Sequence, residues 1–198
     1  MIWNFIRHGQ TDWNVRQLFQ GRRDIPLNDT GRAQAFAAGR EFAEKGISFA
    51  RVYSSPLVRA KETATILTGL PEEALIIDDR LSEMDFGPLD GTTYDREAEE
   101  LQAFFYHPGT YVAPAGAETF EQILERTASF LRDLRKEAVP GGDNILIQTH
   151  GGTLRALIVH LDRLAIDDYW KNRIDNCALV RYRCDGPDDI PHRLSCEP

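Results

Sequence analysis

Cysteine is scarce in the 198-residue chain: only Cys177, Cys184 and Cys196 are present. Their number is odd and no pair has Cys-x-x-Cys spacing, which excludes a disulfide framework and points to reduced thiols. No apolar run reaches the ~20 residues that a membrane-spanning helix needs. The start, Met1-Ile2-Trp3, shows neither a basic region nor a small-residue cleavage site. The expectation is therefore a cytoplasmic protein without a signal peptide. Positive charge is also in deficit, with 23 Lys and Arg against 31 Asp and Glu, a net charge of −8. A negative field disfavours nonspecific binding to nucleic acid or anionic membranes. There is no P-loop, and no Gly-x-Gly-x-x-Gly follows the first strand, so nucleotide-binding loops of those types are absent. Internal repeats, low-complexity segments and linkers are missing too. With 42% hydrophobic residues, the chain is expected to form one domain over 1–198 with a sizeable core.

What is present alternates between strand and helix patterns. Residues Ile2–Ile6 read as a buried strand running into Arg7-His8-Gly9. The polar stretch Gln10–Pro26 reads as a long loop with room for one helical turn. Asn28 is placed to cap a helix over Asp29–Lys45, with Gly46 as its stop. Phe49–Ser54 is a second strand. Ser55-Pro56 then predicts the start of a helix over Pro56–Leu67, with Arg59 in its first turn. Leu75–Asp78 is a short third strand. Tyr94–His107 is expected to be a helix, the core of a small helical lid around 88–117. Thr119 and Gln122 form a capping-box pair. They open a helix over Phe120–Glu137 with strong helical periodicity. Asn144–Gln148 is a buried strand running into Thr149-His150-Gly151-Gly152. Helices over Thr153–Leu164 and Ile166–Ile174, a strand over Ala178–Cys184 and a polar tail from Asp185 complete the chain. This order predicts an α/β fold, a mostly parallel central sheet with helices on both faces in three layers.

Ligands of open α/β sheets bind at the carboxyl ends of the strands. Two strands end in Arg7-His8-Gly9 and Thr149-His150-Gly151, and a third leads to Arg59 at a helix N-terminus. Two arginines, two histidines and a helix N-terminus converging on one point make an anion site, most naturally for phosphate. Asn14 and Gln20 are candidate uncharged donors. A metal site from His8 and His150 fits poorly, because no Asp or Glu sits beside either and nearby arginines repel a cation.

These residues carry a resemblance. Arg7-His8-Gly9, Thr11-x-Trp13-Asn14 with Phe19-Gln20-Gly21, Leu27–Gly31, Ser54-Ser55-Pro56-Leu57-x-Arg59-Ala60-x-Glu62-Thr63-Ala64, Leu81-x-Glu83-Met84-Asp85-Phe86-Gly87 and Thr149-His150-Gly151-Gly152 resemble the histidine phosphatase superfamily. The motifs follow the family's order and span most of the chain. The resemblance implies a phosphoglycerate-mutase-like fold. It also implies that His8 attacks phosphorus to form a phosphohistidine, and that Arg7 and Arg59 hold the non-bridging oxygens. His150 would hydrogen-bond the phosphoryl group, helped by Asn14, Gln20, Gly21 and the Gly151 N–H. Glu83 would protonate the leaving oxygen and then activate water. No metal and no cofactor are implied, since arginines can supply the charge that phosphoryl transfer needs.

Mutases of this superfamily carry extra basic residues between the Glu and the second His. Here Met84–Ala117 holds Arg96 and His107 but many aromatics. The expectation is therefore a phosphatase acting on a small phosphorylated metabolite with a less charged, partly apolar leaving group. Leu81–Gly91 and Gly116-x-Glu118-Thr119 are most similar to the family's small-molecule phosphatases, α-ribazole phosphatases among them. A cofactor-dependent phosphoglycerate mutase and a noncatalytic phosphate-binding relative are the alternatives. Arg22 and Arg23 are candidates to reach a substrate carboxylate. A monomer or a homodimer is expected.

Overall fold

A computed structural model describes residues 1–138 and 141–194. Cys196 lies outside the described residues. The apolar run after Met1 forms β1 (Ile2–Arg7), whose interior residues are all buried. It lies mid-sheet, parallel to β4 (Asn144–Thr149), with Arg7 opposite Thr149. Between them in sequence come α1 (Asp12–Val15), α2 (Asp29–Glu44), β2 (Arg51–Ser54), α3 (Val58–Thr68), β3 (Ile76–Ile77), α4 (Gln102–Tyr106) and α5 (Phe120–Lys136). After β4 come α6 (Gly151–Leu161), β5 (Leu179–Arg183) and β6 (His192–Leu194). The six-stranded sheet has the order β3-β2-β4-β1-β5-β6. The first four run parallel, and β5 pairs antiparallel with both β1 and β6, so the sheet is mostly parallel.

Alternation along the strands separates two cores. Trp3, Phe5, Ile145 and Ile147 face α5 and α6. Ile6, Val52 and Leu146 face α2 and α3. Each fully buried apolar side chain of this size is worth about 1.5–3 kcal/mol, so the central strands hold the two helical layers to the sheet. In α5, the Thr119–Gln122 capping box forms as expected and Phe120, Ile123, Phe130, Leu131 and Leu134 bury one side. Asn28 caps α2 by accepting from Gly31 N–H at 2.9 Å.

Several elements differ from expectation. Ser55 is not the cap of α3: that helix begins at Val58 after Leu57, which lacks a capping side chain. Ser55 Oγ instead accepts from Leu57 N–H at 3.3 Å and closes the turn before it. The Tyr94–His107 helix shrinks to α4 plus a 3-10 turn at Glu99–Leu101. Aromatic packing overrides helical propensity there: Phe104, Phe105, Phe19, Phe86 and Phe120 form one cluster with Tyr169 and Trp170. Ile166–Ile174 retains only a 3-10 turn at Ile166–Asp168, because Tyr169 and Trp170 turn into the same cluster. The third strand is limited to two residues, and α6 begins at Gly151 rather than Thr153. The polar tail packs as edge strand β6 on β5. No helix among the described residues is long and apolar enough to cross a membrane.

Candidate active site

The pairing of β1 with β4 sets the two histidines side by side. His8 N–H donates to Thr149 O at 3.0 Å, and the two imidazoles lie 5.1 Å apart between centroids. Both are buried, at 3% and 0% exposure. Burial holds His8 well below its ordinary 6.5, and the charges of Arg59 and Arg7 add to this. His150 is depressed in the same way, by burial first and then by Arg59 and His8. Both rings are therefore neutral.

Hydrogen bonds fix their tautomers. His8 Nδ1 lies 2.7 Å from Gly9 O. A carbonyl only accepts, so Nδ1 carries the proton and Nε2 keeps its lone pair. Arg59 Nε donates to His150 Nδ1 at 3.1 Å. A guanidinium only donates, so His150 holds its proton on Nε2, which lies 2.7 Å from Ser55 Oγ.

Arg59 is fully buried. Its Nη1 donates to Arg23 O at 2.8 Å and its Nη2 to Gly21 O at 2.7 Å. Burial lowers it to about 10, so it stays charged at neutral pH. With its amide oxygen towards this guanidinium, Gln20 accepts from Nε at 3.1 Å and donates to Thr11 Oγ1 at 2.6 Å. Arg7 Nη1 donates to Ile174 O at 2.7 Å. The loop after β1 lies directly on α2, since a Cβ on Gly31 would come within 2.1 Å of Gln10 O. That contact demands glycine at the position.

Glu83 is carried over the N-terminus of α6. Its Oε2 accepts from Gly152 N–H at 3.0 Å, and its Oε1 from Thr153 N–H at 3.0 Å and Met84 N–H at 2.9 Å. Orphan amides of a helix N-terminus are natural partners for a carboxylate. A Cβ on Gly152 would lie 2.6 Å from Glu83 Oε1, so glycine is what lets the carboxylate sit there.

A cavity of about 260 Å³ opens on this group. Of the expected residues, Arg7, His8, Asn14, Gln20, Glu83 and Gly151 line it. Arg59, His150 and Gly21 do not: the Arg59 side chain packs beneath the wall, tied to Gly21 O and to the His150 ring. The two exposed arginines stand apart. Arg22 pairs with Asp85 and Glu118, and Arg23 lies over the Trp13 ring. The other wall was not anticipated. Arg155, Trp170, Tyr94 and Phe86 face the cavity, with Arg155 over the Trp170 ring at 5.1 Å. Arg155 was legible in principle, because it follows Gly151 by four residues and so shares its helix face. Tyr94 is brought in when its N–H donates to Gln17 O and Phe19 N–H donates to Thr92 O. No cluster of His, Cys, Asp and Glu suited to a metal occurs among the described residues.

Comparison with known proteins agrees with this architecture. The description "Histidine phosphatase superfamily (branch 1)" matches residues 3–195. The 2,3-bisphosphoglycerate-dependent phosphoglycerate mutase of Mesorhizobium japonicum is 36% identical over 192 residues, covering 93% of each chain. The structure of phosphoserine phosphatase from Entamoeba histolytica in complex with 3-phosphoglyceric acid is similar at a TM-score of 0.81 and 26% identity, covering 98% of this chain and 95% of that one. A mycobacterial glucosyl-3-phosphoglycerate phosphatase in complex with VO3 is similar at a TM-score of 0.76 and 28% identity, covering 91% of this chain and 92% of that one.

Proposed function

The chain belongs to the histidine phosphatase superfamily, and from that premise we propose that it hydrolyses a small phosphate monoester through a phosphohistidine on His8, without a metal. The observation that carries this is the tautomer of His8. Its Nδ1–H is spent on Gly9 O, and burial beside Arg59 and Arg7 keeps the ring neutral. A lone pair is thus available on Nε2 in a ring that lines the cavity, as nucleophilic catalysis requires.

The remaining residues take supporting roles. Arg7 lines the cavity and offsets charge on the phosphoryl oxygens. The α6 N-terminus, through Gly151, adds its dipole. Arg59 lies behind His8 and keeps a positive charge there, and the neutral His150 ring beside it fixes its setting. Asn14 and Gln20 bound the phosphoryl end, and Gly21 holds Arg59. Glu83 borders the same cavity and is the group placed to protonate the leaving oxygen and then activate water. Phosphoryl transfer depends chiefly on positioning and charge, and the cavity supplies both.

The test is hydrolysis of p-nitrophenyl phosphate by wild type and His8→Ala, with chelator throughout. Activity in the wild type that vanishes in the variant supports the proposal. A wild type inactive on that ester but converting 3-phosphoglycerate to 2-phosphoglycerate in the presence of 2,3-bisphosphoglycerate replaces it with a mutase. The similarity to the Mesorhizobium japonicum mutase is what keeps that second reading. A chain that binds phosphate esters and turns over none of them is a binding-only relative.

A further inference from the structure

We propose that Asn176 is a positioning residue of this site, aiming the side-chain amide of Asn14 at the phosphoryl group and tying it to the nucleophile. It deepens the reading above and rests on it for the chemistry. Asn176 lies 168 residues along the chain from His8, in the turn that leads into β5, and it lines the same cavity.

The two asparagine amides can be read in one direction only. Asn176 stands 3.0 Å from His8 O, and a carbonyl only accepts, so the atom in contact is Nδ2. The second hydrogen of that nitrogen reaches Asn14 at 3.2 Å, so the Asn14 atom it meets is Oδ1. Thr11 N–H donates to the same oxygen at 3.1 Å. Both lone pairs of Asn14 Oδ1 are thus occupied. Asn14 Nδ2 has no protein acceptor among the described residues, and Asn14 lines the cavity with His8 and Arg7. Turning this amide over would set its nitrogen against two donors and leave both without an acceptor. The two donors therefore keep the N–H end for an anion.

Thr11 alone could not fix that donor relative to His8. Thr11 is the cap of α1, a four-residue helix that buries none of its side chains, so cap and helix move together. Asn176 is the contact that joins Asn14 to the end of β1. Its own turn is anchored there as well. Arg7 Nη1 donates to Ile174 O at 2.7 Å, Cys177 N–H donates to Arg7 O at 3.1 Å, and Arg7 N–H donates to Ala178 O at 3.2 Å. Residues 174–178 thus hold Arg7, His8 and Asn14 as one unit. A donor preset towards the transferring group needs no reorganisation when the reaction occurs.

The test is a double-mutant cycle on Asn14→Ala and Asn176→Leu. It is read by calorimetric binding of inorganic phosphate and by kcat/KM on p-nitrophenyl phosphate. Leucine keeps the approximate size of asparagine and makes no hydrogen bond. A hydrogen bond to a charged group predicts a loss on the order of 10- to 100-fold for Asn14→Ala, and about 10-fold for Asn176→Leu, in both readouts. In the Asn14→Ala background, Asn176→Leu is expected to add less than about twofold, because the group it aims is already gone. A merely structural role would cost the same factor in both backgrounds, and that result would overturn the proposal. So would wild-type affinity and kcat/KM in Asn176→Leu, or a wild type that binds no phosphate. Should Asn176→Leu fail to melt cooperatively, Asn176→Ala takes its place in the cycle. If p-nitrophenyl phosphate is not hydrolysed through His8 but the two substitutions stay coupled in phosphate binding, the phosphatase reading fails and the role of Asn176 stands.

Discussion

Lowering the pH from 7.5 to 5.5 should destabilise this fold before any carboxylate titrates appreciably. The cause is the pair of buried imidazoles. His8 and His150 are both held well below their ordinary 6.5, chiefly by burial and then by neighbouring cations. In the unfolded chain each takes up a proton near 6.5, and in the fold neither does so until much lower pH. The unfolded state therefore binds more protons, and stability falls as pH falls. The contribution is intact above 6.5 and is lost progressively from there down to the depressed folded values. Each histidine costs about 1.4 kcal/mol per pH unit across that window. At pH 5.5 the two together cost roughly 2.8 kcal/mol, which corresponds to a fall in Tm of roughly 6–11 °C for a chain of this size. Thermal melts in phosphate-free buffer, with urea melts for the free energies, measure this directly. In His8→Asn or His150→Asn roughly a third to a half of the slope should disappear, the rest coming from the other imidazole and from His160, which burial also lowers. A wild-type Tm flat between pH 7.5 and 5.5, or single variants with the full wild-type slope, would refute neutral buried histidines and the nucleophile assignment built on them.

Three substitutions test the supports of the site. Gly152→Ala puts a Cβ 2.6 Å from Glu83 Oε1, so kcat on p-nitrophenyl phosphate should fall on the order of 100-fold through a displaced acid–base group. An unchanged kcat would remove Glu83 from the mechanism. Gly31→Ala forces a Cβ to within 2.1 Å of the Gln10 carbonyl, and urea melts should show a loss of about 1–3 kcal/mol or more, since backbone cannot yield as a side chain can. Ser55→Ala removes the partner of His150 Nε2, and the unsatisfied buried N–H should cost about 1–3 kcal/mol. Ser55→Thr should recover most of that loss, and equal melts for serine and alanine would show that His150 is held by Arg59 alone.

Legibility in the sequence followed the range of the forces involved. The Asn28 cap and the Thr119–Gln122 capping box are local hydrogen bonds, and their residue pattern announces them. The buried strands were legible because an apolar run ending in Arg7-His8 or Thr149-His150 has few other uses. What failed was decided by distant contacts. Residues 94–107 carry helical propensity, yet Phe104 and Phe105 must meet Phe19, Trp170 and Phe120 from elsewhere in the chain, and only a short α4 satisfies that. Arg22 and Arg23 looked available beside Gly21, and nothing nearby shows that Asp85 and Glu118 pair with Arg22. Arg155 was hidden for the opposite reason. It sits in an otherwise apolar helix, where a lone arginine is easily taken for a helix-end residue.

The way the arginines are held suits the anion site proposed above. Arg7, Arg59 and Arg155 are each tethered to backbone carbonyls, those of Ile174, of Arg23 and Gly21, and of Gly151. Two half-buried guanidiniums outside the site are instead paired with carboxylates: Arg126 with Glu118, and Arg80 with Asp78 and Asp133. A carboxylate partner satisfies a guanidinium's hydrogen bonds and cancels its charge. A carbonyl satisfies the bonds and leaves the charge in place. The first arrangement builds structure, and the second preserves a positive field in a low-dielectric setting, where each charge acts over a longer distance than in water. In a chain of net charge −8, these arginines run against the overall sign of the protein. Their field is set before any ligand arrives, so the phosphoryl transfer proposed above would require little reorganisation of the protein.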